Sequence, residues 1–214
     1  MLVRDCMSSP PITITLDTSL QDALKLVFRH PCRRLPVVDK EGRLVGLVSK
    51  QDLPYASPKS GRYLSIFEQQ YQLASLHVQD ILTTEVVTTT PDTIVEDAAR
   101  LMVDNRTNYL AVVQDNRVVG VITGTDVMHT FIRMCTDSHS GLQLTLKVPE
   151  KSSVLPDLFS AINELGGNVV GVGAFLGHDP VNRELFIKVR DGNRDELLAA
   201  IEALGDRVID AREV

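Results

Sequence analysis

The sequence predicts a mixed chain, α/β with an α+β final part: two copies of a β-α-β-β-α unit, then a separate β-α-β-β-α-β domain. Three observations predict it. The stretch that begins Val3-Arg4-Asp5 recurs as Val78-Gln79-Asp80, 75 residues further on. Within each copy, short apolar/Thr alternations read as strands and longer periodic runs read as helices. From Gly141 the repeat stops and a different order of elements begins.

The repeat organises the first two thirds. Thr13, Thr15, Asp17 and Thr18 correspond to Thr88, Thr90, Asp92 and Thr93, and Leu35-Pro36-Val37-Val38 to Leu110-Ala111-Val112-Val113. After Gly42 is skipped, Arg43, Val45, Gly46 and Asp52 fall on Arg117, Val119, Gly120 and Asp126. Each copy opens on a strand (12–16; 86–90). Asp17-Thr18 and Asp92-Thr93 then offer N-caps to helices near 19–29 and 94–104. Leu35 to Val38 and Leu110 to Val113 are short strands, turning at Asp39-Lys40-Glu41-Gly42 and at Gln114-Asp115-Asn116. Return strands 44–48 and 118–122 end at Ser49 and Thr123, each opening another helix.

Composition supports this reading. The chain is 43% apolar and 23% charged, as globular proteins are, with 5% aromatic residues and no Trp. The core must therefore be built from Val, Leu, Ile and Ala, which suits β/α packing. The formal charge of −6 and the absence of a Lys/Arg-rich run argue against a nucleic-acid partner. The first 77 residues are nonetheless net positive and the remainder net negative, so an anionic ligand finds its friendliest surface in the first third. Cys6, Cys32 and Cys135 are odd in number and far apart, which reads as reduced thiols. No apolar run follows Met1 to Asp5, and no stretch reaches the roughly 20 apolar residues of a membrane span. The expectation is a soluble, cytoplasmic protein with no membrane partner.

Two heptapeptides carry the chemistry: Gly46-Leu47-Val48-Ser49-Lys50-Gln51-Asp52 and Gly120-Val121-Ile122-Thr123-Gly124-Thr125-Asp126. A Ser or Thr at a strand-to-helix junction presents a hydroxyl and a backbone N–H at a helix N-terminus. An Asp three residues later can accept from both hydroxyls of a ribose, and the leading Gly allows close approach. The same residues also fit a structural role, with Ser49 and Thr123 as caps and Asp52 and Asp126 complementing the helix dipole. The doubled occurrence favours a ligand role in at least one copy.

These heptapeptides, each behind a matching strand–helix–strand, resemble the G-h-x-[ST]-x-x-D signature of CBS domains, across essentially all of residues 1–130. The resemblance implies a tandem pair packed about a pseudo-twofold axis, with clefts that take AMP, ADP, ATP or S-adenosylmethionine. It implies nucleotide-binding roles for Thr15, Leu35, Pro36, Ser49, Asp52, Thr90, Tyr109, Leu110, Thr123 and Asp126. The copies differ: repeat 1 has Pro36 with Arg33, Arg34 and Lys50 in reach of a phosphate. Repeat 2 has Ala111, Asn108, Tyr109 and Gly124 in their places. Repeat 1 is thus the better phosphate-binding candidate, while the second cleft takes only a nucleoside part or stays empty.

In the last third, 142–148 alternates as a strand. Leu155, Leu158, Phe159, Ile162 and Leu165 recur at helical spacing and end at Gly166-Gly167. Strands follow at 168–176 and 184–189 around Gly177-His178-Asp179-Pro180, then a helix at 196–204 and a strand at 207–211. This is a ferredoxin-like order. With Val148-Pro149-Glu150-Lys151-Ser152-Ser153-Val154-Leu155 and Gly167-Asn168-Val169-Val170, the segment resembles an ACT domain, a small-molecule-sensing module. Ser152-Ser153 stands where that family carries Pro-Gly, so dimerisation and ligand sensing both remain open. The whole order, with linker residues Ser65 to Tyr71, resembles the acetoin-utilisation protein B type.

The expected organisation is repeat 1 over 1–56, a linker and helix over 57–77, repeat 2 over 78–135, a linker over 136–140 and the last domain over 141–214. Gly171-Val172-Gly173 lies inside a strand, so it fails as a dinucleotide loop. Cys135, Asp137 and His139 sit in the joint between domains, and no histidine pair or activated nucleophile has a recognisable pattern. The reading is therefore a non-enzymatic regulator. It has no catalytic cofactor or metal, takes an adenine nucleotide or S-adenosylmethionine as regulatory ligand, forms a homodimer and acts on an unidentified regulated enzyme. The alternatives are a purely structural dimeric scaffold or an enzyme with an unrecognised site.

Overall fold

The computed structural model describes residues 1–29, 34–49, 76–135, 140–149, 153–175 and 182–214. The chain forms two compact units, Met1–Met128 and His129–Val214.

The first unit holds both repeats. Repeat 1 contributes β1 (Ile14–Thr15), α1 (Leu20–Arg29), β2 (Arg34–Val38) and β3 (Leu44–Ser49). Repeat 2 contributes β4 (Thr88–Thr89), α2 (Val95–Asp104), β5 (Tyr109–Gln114), β6 (Arg117–Thr123) and α3 (Gly124–Cys135), a helix that runs across the boundary between the units. Each repeat forms a three-stranded sheet in which the first strand runs parallel to the second and the second antiparallel to the third. The opening strands keep only two residues each, shorter than the alternation suggested.

The two hairpins turn by different chemistry. Between β2 and β3, Gly42 takes φ 83°, and the Asp39 carboxylate accepts from the Glu41 and Arg43 N–H groups. Between β5 and β6, Asp115 and Asn116 both have positive φ, 50° and 63°. That is the two-residue turn whose twist matches the flanking strands.

The caps assigned to Asp17-Thr18 and Asp92-Thr93 are corrected by the structure. The helices begin later, so those residues lock the preceding turn instead. The Thr15 N–H donates to Thr18 Oγ1 at 3.0 Å, and the Thr90 N–H donates to Thr93 Oγ1 at 3.3 Å. Helix α1 is capped by Ser19, whose hydroxyl accepts from the Asp22 N–H at 3.1 Å and donates to the Asp22 carboxylate at 2.8 Å. The corresponding residue of repeat 2 is Ile94, which caps nothing with its side chain.

The repeats exchange their leading segments. The Val3 N–H donates to the Thr93 carbonyl at 2.9 Å, and the Val78 N–H donates to the Thr18 carbonyl at 3.0 Å. Ser8 pairs with Val121 on β6 and Thr83 with Leu47 on β3. Accordingly Val3, fully buried, packs with Ala98, Met102, Leu110, Val112 and Ile122 of repeat 2. Val78, also fully buried, packs with Leu20, Ala23, Val27, Leu35 and Val48 of repeat 1. Gly46 and Gly120 make room for the crossing chains. A Cβ on Gly46 would stand 2.8 Å from the Thr83 carbonyl oxygen, and one on Gly120 3.1 Å from that of Ser8.

The second unit contains β7 (Leu142–Pro149), α4 (Val154–Glu164), β8 (Asn168–Phe175), β9 (Asn182–Arg190), α5 (Arg194–Ala203) and β10 (Arg207–Glu213). Its four strands are antiparallel in the order β10-β7-β9-β8, the split β-α-β arrangement. Strand β7 alternates, so that Leu142, Leu144, Leu146 and Val148 face a core shared with Leu158, Ile162, Leu197 and Ile201 from the helices. Helix α4 ends at Glu164; beyond it Gly166 takes φ 76°, and the Gly167 N–H donates back to the Ile162 carbonyl at 2.9 Å. Helix α5 is capped by Asn193, whose side chain accepts from the Asp195 and Glu196 N–H groups.

Among the described residues no helix is long and apolar enough to cross a membrane.

Candidate functional site

Strand β6 ends and helix α3 begins at Thr123. Its N–H donates to Asp126 Oδ2 at 2.8 Å, its hydroxyl donates to the same oxygen at 2.7 Å, and the Asp126 N–H donates to the Thr123 hydroxyl at 3.3 Å. This reciprocal cap fixes the Asp126 side chain at the first turn. Both Thr123 bonds fall on Oδ2, so the cap itself does not use Oδ1 as an acceptor. The cap reading and the ligand reading of this motif are thus compatible.

Thr123 and Asp126 line a cavity of about 350 Å³ together with Arg34 and Pro36 of repeat 1. That volume lies at the small end of ligand pockets, roughly 300–1,000 Å³. The sequence grouped Arg34 and Pro36 with Ser49 and Asp52 of their own repeat. The structure places them in one cavity with the motif of the other one. Val121 and the run Pro10, Pro11 and Ile12 supply apolar wall, and Ser8 closes one side. Sequence reasoning missed this run. Its signal was an apolar stretch poor in N–H donors just before the first strand.

Arg34 is held in place by repeat 2. Its Nη1 donates to Asn108 Oδ1 at 2.8 Å and to Thr107 Oγ1 at 3.2 Å, and its guanidinium carbon lies 5.9 Å from the centre of the Tyr109 ring. Tyr109 is buried beneath it, opposite Thr123 in the β5–β6 register. Ser49 is buried at the end of β3, opposite Arg34.

Other candidates take structural places. Leu35 and Leu110 are fully buried in the cores of the two repeats, so strand alternation turns these side chains away from the cleft that Pro36 lines. The Thr15 hydroxyl donates to Asp17 at 2.5 Å and holds that carboxyl below its ordinary value. The Thr90 hydroxyl lies 2.9 Å from that of Thr93. Neither threonine is among the described residues lining the cavity. Arg33, Lys50 and Asp52 lie outside the described residues, as do the linker helix and Glu150 to Ser152.

In the second unit, Phe159, Ser160 and Asn163 of α4 and Gly167 to Val172 border an open cavity of about 660 Å³. Among the described residues no three His, Cys, Asp or Glu side chains gather as a metal site.

Comparison with known proteins places this geometry. The family model of the CBS domain matches residues 3–57 and 78–133. A CBS domain-containing protein of Dictyostelium discoideum is 32% identical over 141 residues, which covers 63% of this chain and 93% of that protein. The L-aspartate semialdehyde sulfurtransferase of Methanocaldococcus jannaschii is 30% identical over 131 residues, 61% of this chain and 23% of the enzyme. The chain therefore spans about a quarter of that enzyme's length.

Solved structures resemble part of this chain, among them the following. A Vibrio cholerae protein described as an acetoin utilization protein (AcuB) superposes with a TM-score of 0.54 at 26% identity, over 62% of this chain and 91% of its own. CBSX2 of Arabidopsis thaliana, in complex with AMP, gives 0.53 at 29% identity, over 62% and 97%. The CBS domain pair of protein MJ0100, in complex with 5′-methylthioadenosine and S-adenosyl-L-methionine, gives 0.50 at 31% identity, over 61% and 95%.

Proposed function

The chain belongs to the CBS-domain family, and on that premise we propose that it is a non-catalytic, cytoplasmic regulator that senses an adenosine-containing ligand in the cleft between its two repeats. The observation that carries the proposal is the convergence of Asp126, Thr123, Pro36 and Arg34, from both repeats, on one cavity of about 350 Å³. Asp126 Oδ1 accepts from the ribose hydroxyls, while Pro36, Pro10, Pro11 and Ile12 supply flat apolar surface for a base. Arg34 supplies a cation. Two similar CBS pairs, one solved with AMP and one with methylthioadenosine and S-adenosylmethionine, support this ligand class.

A ligand that touches both repeats binds one relative arrangement of them better than others, and that differential is what moves an equilibrium. A coupling of about 1–3 kcal/mol is sufficient to switch a partner enzyme. The C-terminal domain acts as an ACT-type module that pairs two copies of the chain, and its α4–β8 cavity supports a further small-molecule role.

Isothermal titration of the full chain with AMP, ADP and S-adenosylmethionine tests the reading. At least one should bind, and Asp126→Ala should weaken it by about tenfold or more, the cost of a lost hydrogen bond to a charged group. Silence of all three at millimolar ligand, or an Asp126→Ala protein that binds as the wild type does, would sink it.

A further inference from the structure

A wider cavity of about 940 Å³ adjoins the Asp126 cleft, and Arg34 and Thr125 line both. Its open wall includes Arg106 together with the apolar Met102, Val103 and Met128. The turn 105–108, which joins α2 to β5, builds the charged side. Thr107 and Asn108 tether Arg34 at the junction of the two cavities. Arg106, in the same turn, sits at φ 51°. That left-handed position after a helix is one glycine fills without strain. The side chain of Arg106, rather than its backbone, is what this turn gains.

The two cavities differ in charge. The described lining of the smaller one contains a carboxylate, Asp126, whereas that of the larger contains two guanidinium groups and no carboxylate. Of the apolar lining Met102 is buried while Val103 and Met128 are exposed, so an ion pair formed here meets solvent and weakens with added salt.

We infer that the cavities hold one ligand end to end. The nucleoside lies against Asp126, and its 5′-phosphate sits between Arg34 and Arg106. Arg106 thereby selects a nucleoside 5′-phosphate over an adenosine compound with a neutral or cationic 5′ substituent. This rests on the adenosine reading of the cleft and adds the class of ligand and the residue that chooses it.

The test is titration of the full chain, wild type and Arg106→Gly, with AMP and with methylthioadenosine. The wild type should bind AMP about tenfold or more tightly than methylthioadenosine, one charge-assisted contact being worth that much. Arg106→Gly should lose about that factor for AMP and leave methylthioadenosine within about twofold. Its Tm should rise, since glycine relaxes the left-handed residue, so the loss is not one of folding. AMP binding that is unchanged in Arg106→Gly, or weakened no more than methylthioadenosine binding, overturns the inference and leaves the adenosine reading standing. Failure of the wild type to bind either probe at millimolar concentration overturns both.

Discussion

The two repeats share one chain path and differ in how each local problem is solved. Both receive a leading segment from the other. Yet the segment entering repeat 1 presses Leu82 and the Thr83 carbonyl onto Gly46, and the one entering repeat 2 presses Met7 and Ser8 onto Gly120. Repeat 1 turns its hairpin with a glycine and caps its first helix with a serine. Repeat 2 turns with Asp115-Asn116 and leaves its helix to Ile94. The chain crossing and the threonine-locked first turn are common to both repeats, whereas the hairpin turn and the helix cap differ. The glycine of each heptapeptide belongs to the crossing. Its closest neighbour is the exchanged chain of the other repeat, so close approach serves assembly of the pair before it serves any ligand.

The largest expected effect breaks that crossing. A Cβ on Gly46 would meet Leu82 Cδ1 at 2.2 Å and the Thr83 backbone oxygen at 2.8 Å, whereas on Gly120 it would meet Met7 Sδ at 2.5 Å and the Ser8 oxygen at 3.1 Å. A methionine end can swing away and a carbonyl cannot. Gly46→Ala should therefore cost about 3 kcal/mol and Gly120→Ala about 1–2 kcal/mol, the range of overpacked cores. Urea denaturation of both variants measures the order, and equal losses would show that the two crossings are interchangeable.

The exchanged anchors sharpen the comparison. Val3→Ala and Val78→Ala each remove a fully buried side chain and should each cost about 2 kcal/mol. Location is the better readout. Because Val3 packs into repeat 2 and Val78 into repeat 1, Val3→Ala should speed amide exchange in β5 and β6, and Val78→Ala in β2 and β3. Acceleration in the repeat that holds the mutated residue by sequence would refute the exchange as the energetic unit.

Such crossings are hard to read from a sequence. The repeat was legible because paired identities such as Asp22-Ala23 and Asp97-Ala98 are local facts. The strands and helices followed from their alternation and their 3.6-residue period. Where Val3 goes is a long-range fact, and the only trace of it was that Val3-Arg4-Asp5 reappears as Val78-Gln79-Asp80. The site divides the same way. Thr123 and Asp126 stood out as a motif because their spacing makes a cap. Arg34 was assigned to its own repeat, since nothing in the order of residues shows that Thr107 and Asn108 hold it. Arg106 carried no signal at all, because a left-handed backbone at an arginine leaves no mark in composition or period.

The smallest effect concerns the helix caps, and it isolates a purely local difference. Ser19-Leu20-Gln21-Asp22 makes the reciprocal cap of α1, while Ile94-Val95-Glu96-Asp97 places an Asp at the third helical position with no hydroxyl to answer it. Ile94 is 45% exposed, and its backbone already has the extended geometry of a capping residue, φ −70° and ψ 146°. Ile94→Ser should let the new hydroxyl accept from the Asp97 N–H and donate to its carboxylate. The gain should be about 0.5–1 kcal/mol, less the partial burial that the isoleucine gives up. Ser19→Ala should lose about 1 kcal/mol on the other side. Thermal denaturation of the two variants against wild type checks both signs. A loss in Ile94→Ser would mean that the isoleucine's packing beside the exchanged segment, where Leu2 pairs with it, outweighs the cap. The repeats would then differ at this position because of the exchange.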